Sequence, residues 1–236
     1  PADELVFTPG ATGGTLLALL TLGRNGSTVL AESPIYEPMW RQAERLNPTK
    51  RFQRRPQDGW QLPLNELHER LHPNVSLVMI TEPHNPSGVL VPREQVLELA
   101  KMAQQVGAYV VINEVYRGYS QTASYHREAD NIVVVSSLSK FAGAYWMRLG
   151  WLSATAKLCE RLRQGHLNMG LGTLVASMAG MRLLESIEPM ARSACERSAA
   201  GREVVHKWVE ATPDITWSRP DGPGFGAISI PGQIDD

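Results

Sequence analysis

Four short apolar runs rich in valine and isoleucine recur along the first half of the chain: Ser27-Thr-Val-Leu-Ala31, Ser76-Leu-Val-Met-Ile-Thr81, Ala108-Tyr-Val-Val-Ile112 and Ile132-Val-Val-Val-Ser136. Runs of this length with no polar alternation predict strands buried on both faces. The intervening segments follow a helical period. Leu64, Leu67 and Leu71 fall three and four residues apart, and Pro92 to Val106 carries Val96, Leu99, Ala100 and Ala103, with Pro92 placed to start a helix and Gly107 to stop it. Strand and helix alternate, which predicts an α/β fold with a mostly parallel sheet and helices on both faces, because parallel strands need right-handed crossover connections. From about Ala154 to Val209 the pattern turns helical, with Pro189 expected to divide two helices. Pro220-Asp-Gly-Pro-Gly-Phe-Gly226 predicts a turn cluster ahead of a strand over Ala227 to Ile230. There is no internal repeat and no low-complexity tract.

Composition narrows the class without naming a chemistry. The chain has 236 residues, 43% hydrophobic and 20% charged, enough for one large domain or two small ones. A formal net charge of −1 and scattered basic residues give no electrostatic reason to expect nucleic acid or an anionic membrane as a partner. No apolar run approaches the roughly 18 residues that span a bilayer. Cys159 and Cys195 both lie in helix-like stretches, which argues for reduced thiols in a cytoplasmic protein and against a disulfide framework or a structural metal site. The chain begins at Pro1, which is consistent with trimming before a small residue or with the middle of a longer chain.

The candidate chemistry lies just beyond each strand, where open α/β sheets bind their ligands. There the sequence reads Glu32-Ser-Pro-Ile-Tyr36, Glu82-Pro-His-Asn-Pro-Ser-Gly88, Asn113-Glu-Val-Tyr116 and Ser136-Ser-Leu-Ser-Lys140. Taken singly, each has an ordinary structural meaning. Asn85-Pro-Ser-Gly88 makes a good type I turn, Tyr116 a half-buried amphipathic tyrosine, and Lys140 and Arg148 solvated cations. The stretch TPGATGG at 8–14 opens an apolar helix, expected over 13–22, with Thr12 as its cap. Ala11 and Thr12 at that helix start can offer backbone amides and a hydroxyl to an anion.

Together, and in this order, GATGG, SPIYEPMW, TEPHNPSG, INEVYRGY, SLSK and the RLGW that follows it resemble the class I/II pyridoxal-phosphate-dependent aminotransferases of fold type I. The resemblance covers nearly the whole chain, and SLSK with RLGW at its distance is the most specific part. It implies that the chain is the cofactor-binding large domain over 1–209 and the start of a small C-terminal domain over 210–236, most of which is missing here. It implies pyridoxal 5′-phosphate as cofactor, amino-acid and 2-oxo-acid substrates and a homodimer. Lys140 would be the catalytic lysine that condenses with the cofactor aldehyde, an amine whose nucleophilicity depends on a pKa lowered by burial and nearby cations. Ser137 and Arg148, three before and eight after that lysine, would bind the phosphate, a bidentate guanidinium suiting a dianion. Tyr36 would stack on the pyridine ring, and Asn85 and Tyr116 would hydrogen-bond its phenolic oxygen.

One departure is consequential. Where the family has aspartate against the pyridine nitrogen, this chain has Asn113. A carboxylate there keeps the nitrogen protonated and lets the ring absorb electrons released at the substrate Cα; an amide does not. Glu114 is not a substitute, since neighbouring strand residues point to opposite faces. Amino-group transfer is the first reading. Another reaction on an amino acid (decarboxylation, elimination, cyclisation or oxidation), an impaired homologue and a non-catalytic dimerisation or regulatory domain are the alternatives. The arginine that grips the substrate carboxylate belongs to the missing small domain and is not identifiable.

Overall fold

The computed structural model describes residues 1–169 and 174–230. In chain order these form β1 (Leu5–Pro9), α1 (Gly10–Leu22), β2 (Thr28–Ser33), α2 (Glu37–Leu46), β3 (Thr49–Gln53), α3 (Leu64–Arg70), β4 (Val75–Thr81), α4 (Arg93–Gln105), β5 (Tyr109–Asn113), β6 (Ile132–Ser137) and β7 (Leu149–Ser153). Three helices follow, α5 (Ala156–Met169), α6 (Leu174–Leu184) and α7 (Ile187–Glu210), and then β8 (Thr216–Trp217) pairs with β9 (Ile228–Ser229). The main sheet has the order β1-β7-β6-β5-β4-β2-β3. Strands β2 to β6 are mutually parallel, and β7 runs antiparallel to both β6 and β1.

The four valine-rich runs are the centre of this sheet, as expected, and their alternation sorts side chains between two cores. Val29, Ala31, Leu77, Met79, Val111, Val133 and Val135 pack with α1 and α5. Leu30, Val78, Ile80, Val110, Ile112, Ile132 and Val134 pack on the opposite face with Leu67 of α3 and Val96 and Leu99 of α4. Burying one such side chain contributes about 1.5–3 kcal/mol, so the strands most favoured for burial take the middle of the sheet. Because α1 is covered by the sheet on one side and by α2 and α5 on the other, its sequence carries no polar face.

Several boundaries differ from the sequence expectation. β2 runs on to Ser33, because Glu32 and Ser33 pair with Phe52 and Gln53 of β3. The strands β1 and β3 are sheet edges with only half their residues or fewer buried, so they carry no continuous apolar run. β7 and the polar α2 are likewise not announced by the pattern. α1 starts at Gly10, three residues ahead of the expected 13–22 helix, so Thr12 lies inside the first turn and is not its cap. Gly10 at φ +71° makes the sharp exit from β1. Pro189 does not divide two helices. It is the third residue of α7, where its missing N–H has no intrahelical partner to lose, and the break falls before it at Ser186. The strand expected over Ala227 to Ile230 is two residues long, Ile228–Ser229. No helix among the described residues is long and apolar enough to cross a membrane.

Candidate active site

The alternation that builds the two cores also builds the site. Thr81, Asn113 and Ser137 are the last residues of β4, β5 and β6, each two positions beyond a residue of the α1-side core (Met79, Val111, Val135). All three therefore emerge on the α1 face. Thr81 and Asn113 are register partners across adjacent strands. The N-terminus of α1 faces these strand ends, and a cleft of about 320 Å³ opens between them. All nine residues singled out from sequence line it: Ala11, Thr12, Tyr36, Asn85, Asn113, Tyr116, Ser137, Lys140 and Arg148. The cleft is also lined by Thr15, Met39, Thr81, Val115, Ser139 and Tyr145. Sequence reading missed these six, although strand parity alone points to Thr81.

One end of the cleft is shaped for an anion. Arg148 sits at φ +52°, a left-handed conformation that costs an arginine about 1–3 kcal/mol and is held by the turn over Tyr145–Met147. Its guanidinium reaches the carbonyls of Tyr145 and Pro9 only at 3.5 Å, leaving strong donor capacity unspent. Gly10 makes room for it, since a Cβ there would come within 2.7 Å of Arg148 Nη2. A Cβ on Gly150 would fall 2.4 Å from the Gly10 carbonyl carbon and 2.7 Å from the Ala11 nitrogen. The two glycines thus let β7 press against the start of α1, whose free amides and positive dipole end point at the cleft. Ser137 is buried, and its Oγ accepts the Ser139 N–H at 3.3 Å.

Lys140 follows β6 after Ser139 and is exposed to the cleft, so the expected burial of this amine is not found. Its Nζ lies 5.6 Å from the centre of the Tyr116 ring. Neither Lys140 nor Arg148 pairs with a carboxylate among the described residues. Burial, with Tyr119 and Tyr36 nearby, pushes the Tyr116 hydroxyl up to about 12, so at neutral pH it is a phenol able to donate. Tyr36 caps α2 and stays 44% exposed, leaving its ring free to cover a flat ligand.

Asn85 is set by a turn that differs from the expected type I. The Gly88 N–H donates to the His84 carbonyl, closing a five-residue turn. His84 anchors it from below: its ring nitrogens sit 2.7 Å from Ser87 Oγ and 3.0 Å from the Pro34 carbonyl. Burial first, and the Arg54 charge second, pull its pKa down to about 3, so the ring is neutral; Nε2–H donates to Pro34 and Nδ1 accepts from Ser87. The turn cluster around Pro220 straps this loop from outside. Leu90 N–H donates to Asp221 at 2.9 Å, and Phe225 packs edge-on against Tyr116 with ring centres 4.6 Å apart.

Glu32, Glu82 and Glu114 emerge on the other face of the same strand ends, in line with Leu30, Ile80 and Ile112. Glu32 and Glu82, which the sequence places among the polar groups just beyond the strands, therefore do not share the cleft with the site residues. Glu32 and Glu82 are buried against Arg54 Nη1 at 2.9 and 3.1 Å. Desolvation raises Glu32 to about 7 and Glu82 to about 8, Arg54 opposing the rise in both. Glu114 accepts from Arg117 Nε at 2.7 Å, Ser124 Oγ at 2.8 Å and the Tyr125 N–H at 2.7 Å. Burial raises its pKa too, against the pull of Arg117. As sequence parity required, it does not reach the cleft.

The family model for class I and II aminotransferases matches residues 1–215. The chain belongs to that family. An aspartate aminotransferase of Pyrococcus horikoshii is 25% identical over 98% of this chain and 61% of its own length, and a valine–pyruvate aminotransferase of Mycobacterium tuberculosis is 30% identical over 64% and 40%. Among solved structures, a pyridoxal-phosphate-dependent aminotransferase of Streptococcus suis superposes with a TM-score of 0.80 at 26% identity, covering 93% of this chain and 60% of that one. A methionine aminotransferase of Escherichia coli shares the fold at TM-score 0.84 and 20% identity, with 93% and 59% covered. The chain thus spans about 60% of the length of relatives such as the Pyrococcus enzyme. The family is pyridoxal-phosphate-dependent. The donor set fits that group: an unpaired guanidinium, a helix N-terminus and a serine for a dianionic phosphate, an exposed amine for an aldehyde, and a phenol with an amide for a phenolate.

Proposed function

We propose that this chain is the cofactor-binding part of an enzyme that moves an amino group between an amino acid and a 2-oxo acid. The observation that carries the reading is the set of nine residues in one cleft, two of them cations with no carboxylate partner among the described residues. When bound, pyridoxal phosphate supplies an aldehyde to take up the amino group and a conjugated ring to receive electrons from the Cα–H bond. Arg148, Ser137 and the first turn of α1 hold its phosphate. Tyr36 covers the ring, and Tyr116 and Asn85 donate to the phenolic oxygen. Lys140 Nζ would be the amine that holds the aldehyde carbon, and the same amine would move the Cα proton as general base and acid.

Residues 1–209 form the cofactor-binding domain in this reading, and 210–236 begin the small domain. Tyr145, which lines the cleft, and its chain neighbour Trp146, each 69% exposed, support a homodimer that covers this part of the surface. Two free cysteines support a reducing, cytoplasmic setting. The test is borohydride reduction of the chain with pyridoxal phosphate followed by peptide mapping. The pyridoxyl group is expected on Lys140; its recovery on Lys101 or Lys157 overturns the assignment. Product analysis with a panel of amino acids, with and without a 2-oxo acid, separates amino-group transfer from decarboxylation, elimination, cyclisation or oxidation.

A further inference from the structure

We infer that Asn113 holds the pyridine nitrogen of the bound cofactor in its unprotonated form by donating a hydrogen bond to it. The inference rests on the pyridoxal-phosphate reading of the cleft. The Asn113 amide has a fixed orientation, because its Oδ1 accepts the Val115 N–H at 3.1 Å. Turning the amide over would set two N–H donors against each other. The NH₂ end is therefore the one left facing the cleft, where its neighbour is Met39 Sδ at 3.1 Å, a weak acceptor that leaves the second N–H unspent.

In the pyridoxal-phosphate reading Asn113 would face the ring nitrogen. The nitrogen is para to the carbon that bears the aldehyde, so a ring held at Lys140 by that carbon would direct its nitrogen away from Lys140 and deeper into the cleft, where Asn113 is part of the lining. Lys140 follows β6, and the register partners Thr81 and Asn113 close the ends of β4 and β5 beneath Met39. Asn113 is 4% exposed, so no bulk water competes for its donor.

The charges agree with the geometry. Among the described residues that line the cleft there is no aspartate or glutamate. A pyridinium at Asn113 would therefore face a neutral amide and no carboxylate, while the guanidinium of Arg148 is matched by the phosphate. The nearest acids along the strand ends are engaged elsewhere: Glu114 with Arg117, Ser124 and Tyr125, and Glu32 and Glu82 with Arg54. A neutral pyridine that accepts from an amide satisfies both partners; a pyridinium facing an amide N–H satisfies neither. The ring then withdraws less charge from Cα than a pyridinium does, and proton transfer there leans more on Lys140.

The test uses the chain with pyridoxal phosphate carrying ¹⁵N in the ring. At neutral pH the ring nitrogen is expected to resonate in the range of unprotonated pyridine, and in Asn113→Asp to move toward the pyridinium range. A second measurement needs no variant: the affinity for pyridoxal phosphate against that for its N-methylated analogue, which fixes the positive charge and removes the acceptor. The native chain is expected to bind the analogue at least tenfold more weakly. A pyridinium signal in the native chain, or equal affinity for the two compounds, overturns the inference while leaving the cofactor reading intact. Absence of any pyridoxal-phosphate binding overturns both.

Discussion

The two faces of one sheet end treat charge in opposite ways. On the α1 face, Thr81, Asn113 and Ser137 are neutral, and the cations Lys140 and Arg148 stand in a cleft without carboxylate partners among the described residues. On the α4 face, Glu32, Glu82 and Glu114 are buried and matched to Arg54 and Arg117. Strands β4 and β5 supply both faces, Thr81 and Asn113 on one and the next residues Glu82 and Glu114 on the other, so a shift of one residue exchanges them. Charge satisfied within the chain stabilises or orders the fold; charge left unsatisfied at a cleft is available to a ligand.

Breaking the buried side should have the largest effect. Arg54→Met leaves Glu32 and Glu82 facing each other without a counter-ion, and removing one partner of a buried ion pair costs about 3–5 kcal/mol. A urea unfolding midpoint within error of the native chain's would show that the cluster contributes nothing.

The same cluster gives stability a pH slope of definite sign. Glu32 and Glu82 have folded pKa values raised from 4.5 to about 7 and about 8, so the native state binds more protons than the unfolded one over that interval. Stability is therefore lost as pH rises through it. His84, depressed from 6.5 to about 3, acts in the other direction, but only below about 6.5. Between pH 6.5 and 8 the carboxylates act without it, and stability is expected to fall by about 2 kcal/mol. Glu82→Gln should flatten that slope; an unchanged slope in this variant assigns it to other groups.

On the cleft side a smaller change sharpens the contrast. Gly10→Ala places a Cβ 2.7 Å from Arg148 Nη2 at a residue with φ +71°. A loss of about 1–2 kcal/mol in stability is expected, together with weaker binding of pyridoxal phosphate because the guanidinium is displaced. Unchanged affinity in a folded variant would separate Gly10 from the placement of Arg148.

How much of this was legible in the sequence follows from the same alternation. The central strands could be found because buried parallel strands are continuously apolar; the nine cleft residues could be found through the order of motifs that resembles the aminotransferases, since each of them read singly has an ordinary structural meaning. The edge strands β1 and β3 could not, since Thr49–Gln53 reads as a polar loop until β2 pairs with it. Arg54 was unreadable for a related reason: its partners lie 22 and 28 residues away, and only the sheet brings them together. Parity correctly kept Glu114 out of the cleft. Applied to Glu32 and Glu82, it would have excluded them as well.

The central claim is that unpaired cations at the α1 face bind the cofactor while paired cations on the other face do not. Arg148 and Arg117 test it side by side, the first with its guanidinium at 3.5 Å from two carbonyls, the second 2.7 Å from Glu114. The measurement is the Kd for pyridoxal phosphate of Arg148→Ala and Arg117→Ala by absorbance titration. A charge-assisted hydrogen bond is worth about 1.5–3 kcal/mol, so Arg148→Ala should weaken binding by roughly tenfold to a hundredfold. Arg117→Ala should lower stability and leave Kd within about threefold of the native chain's. Equal losses of affinity in the two variants would contradict the account.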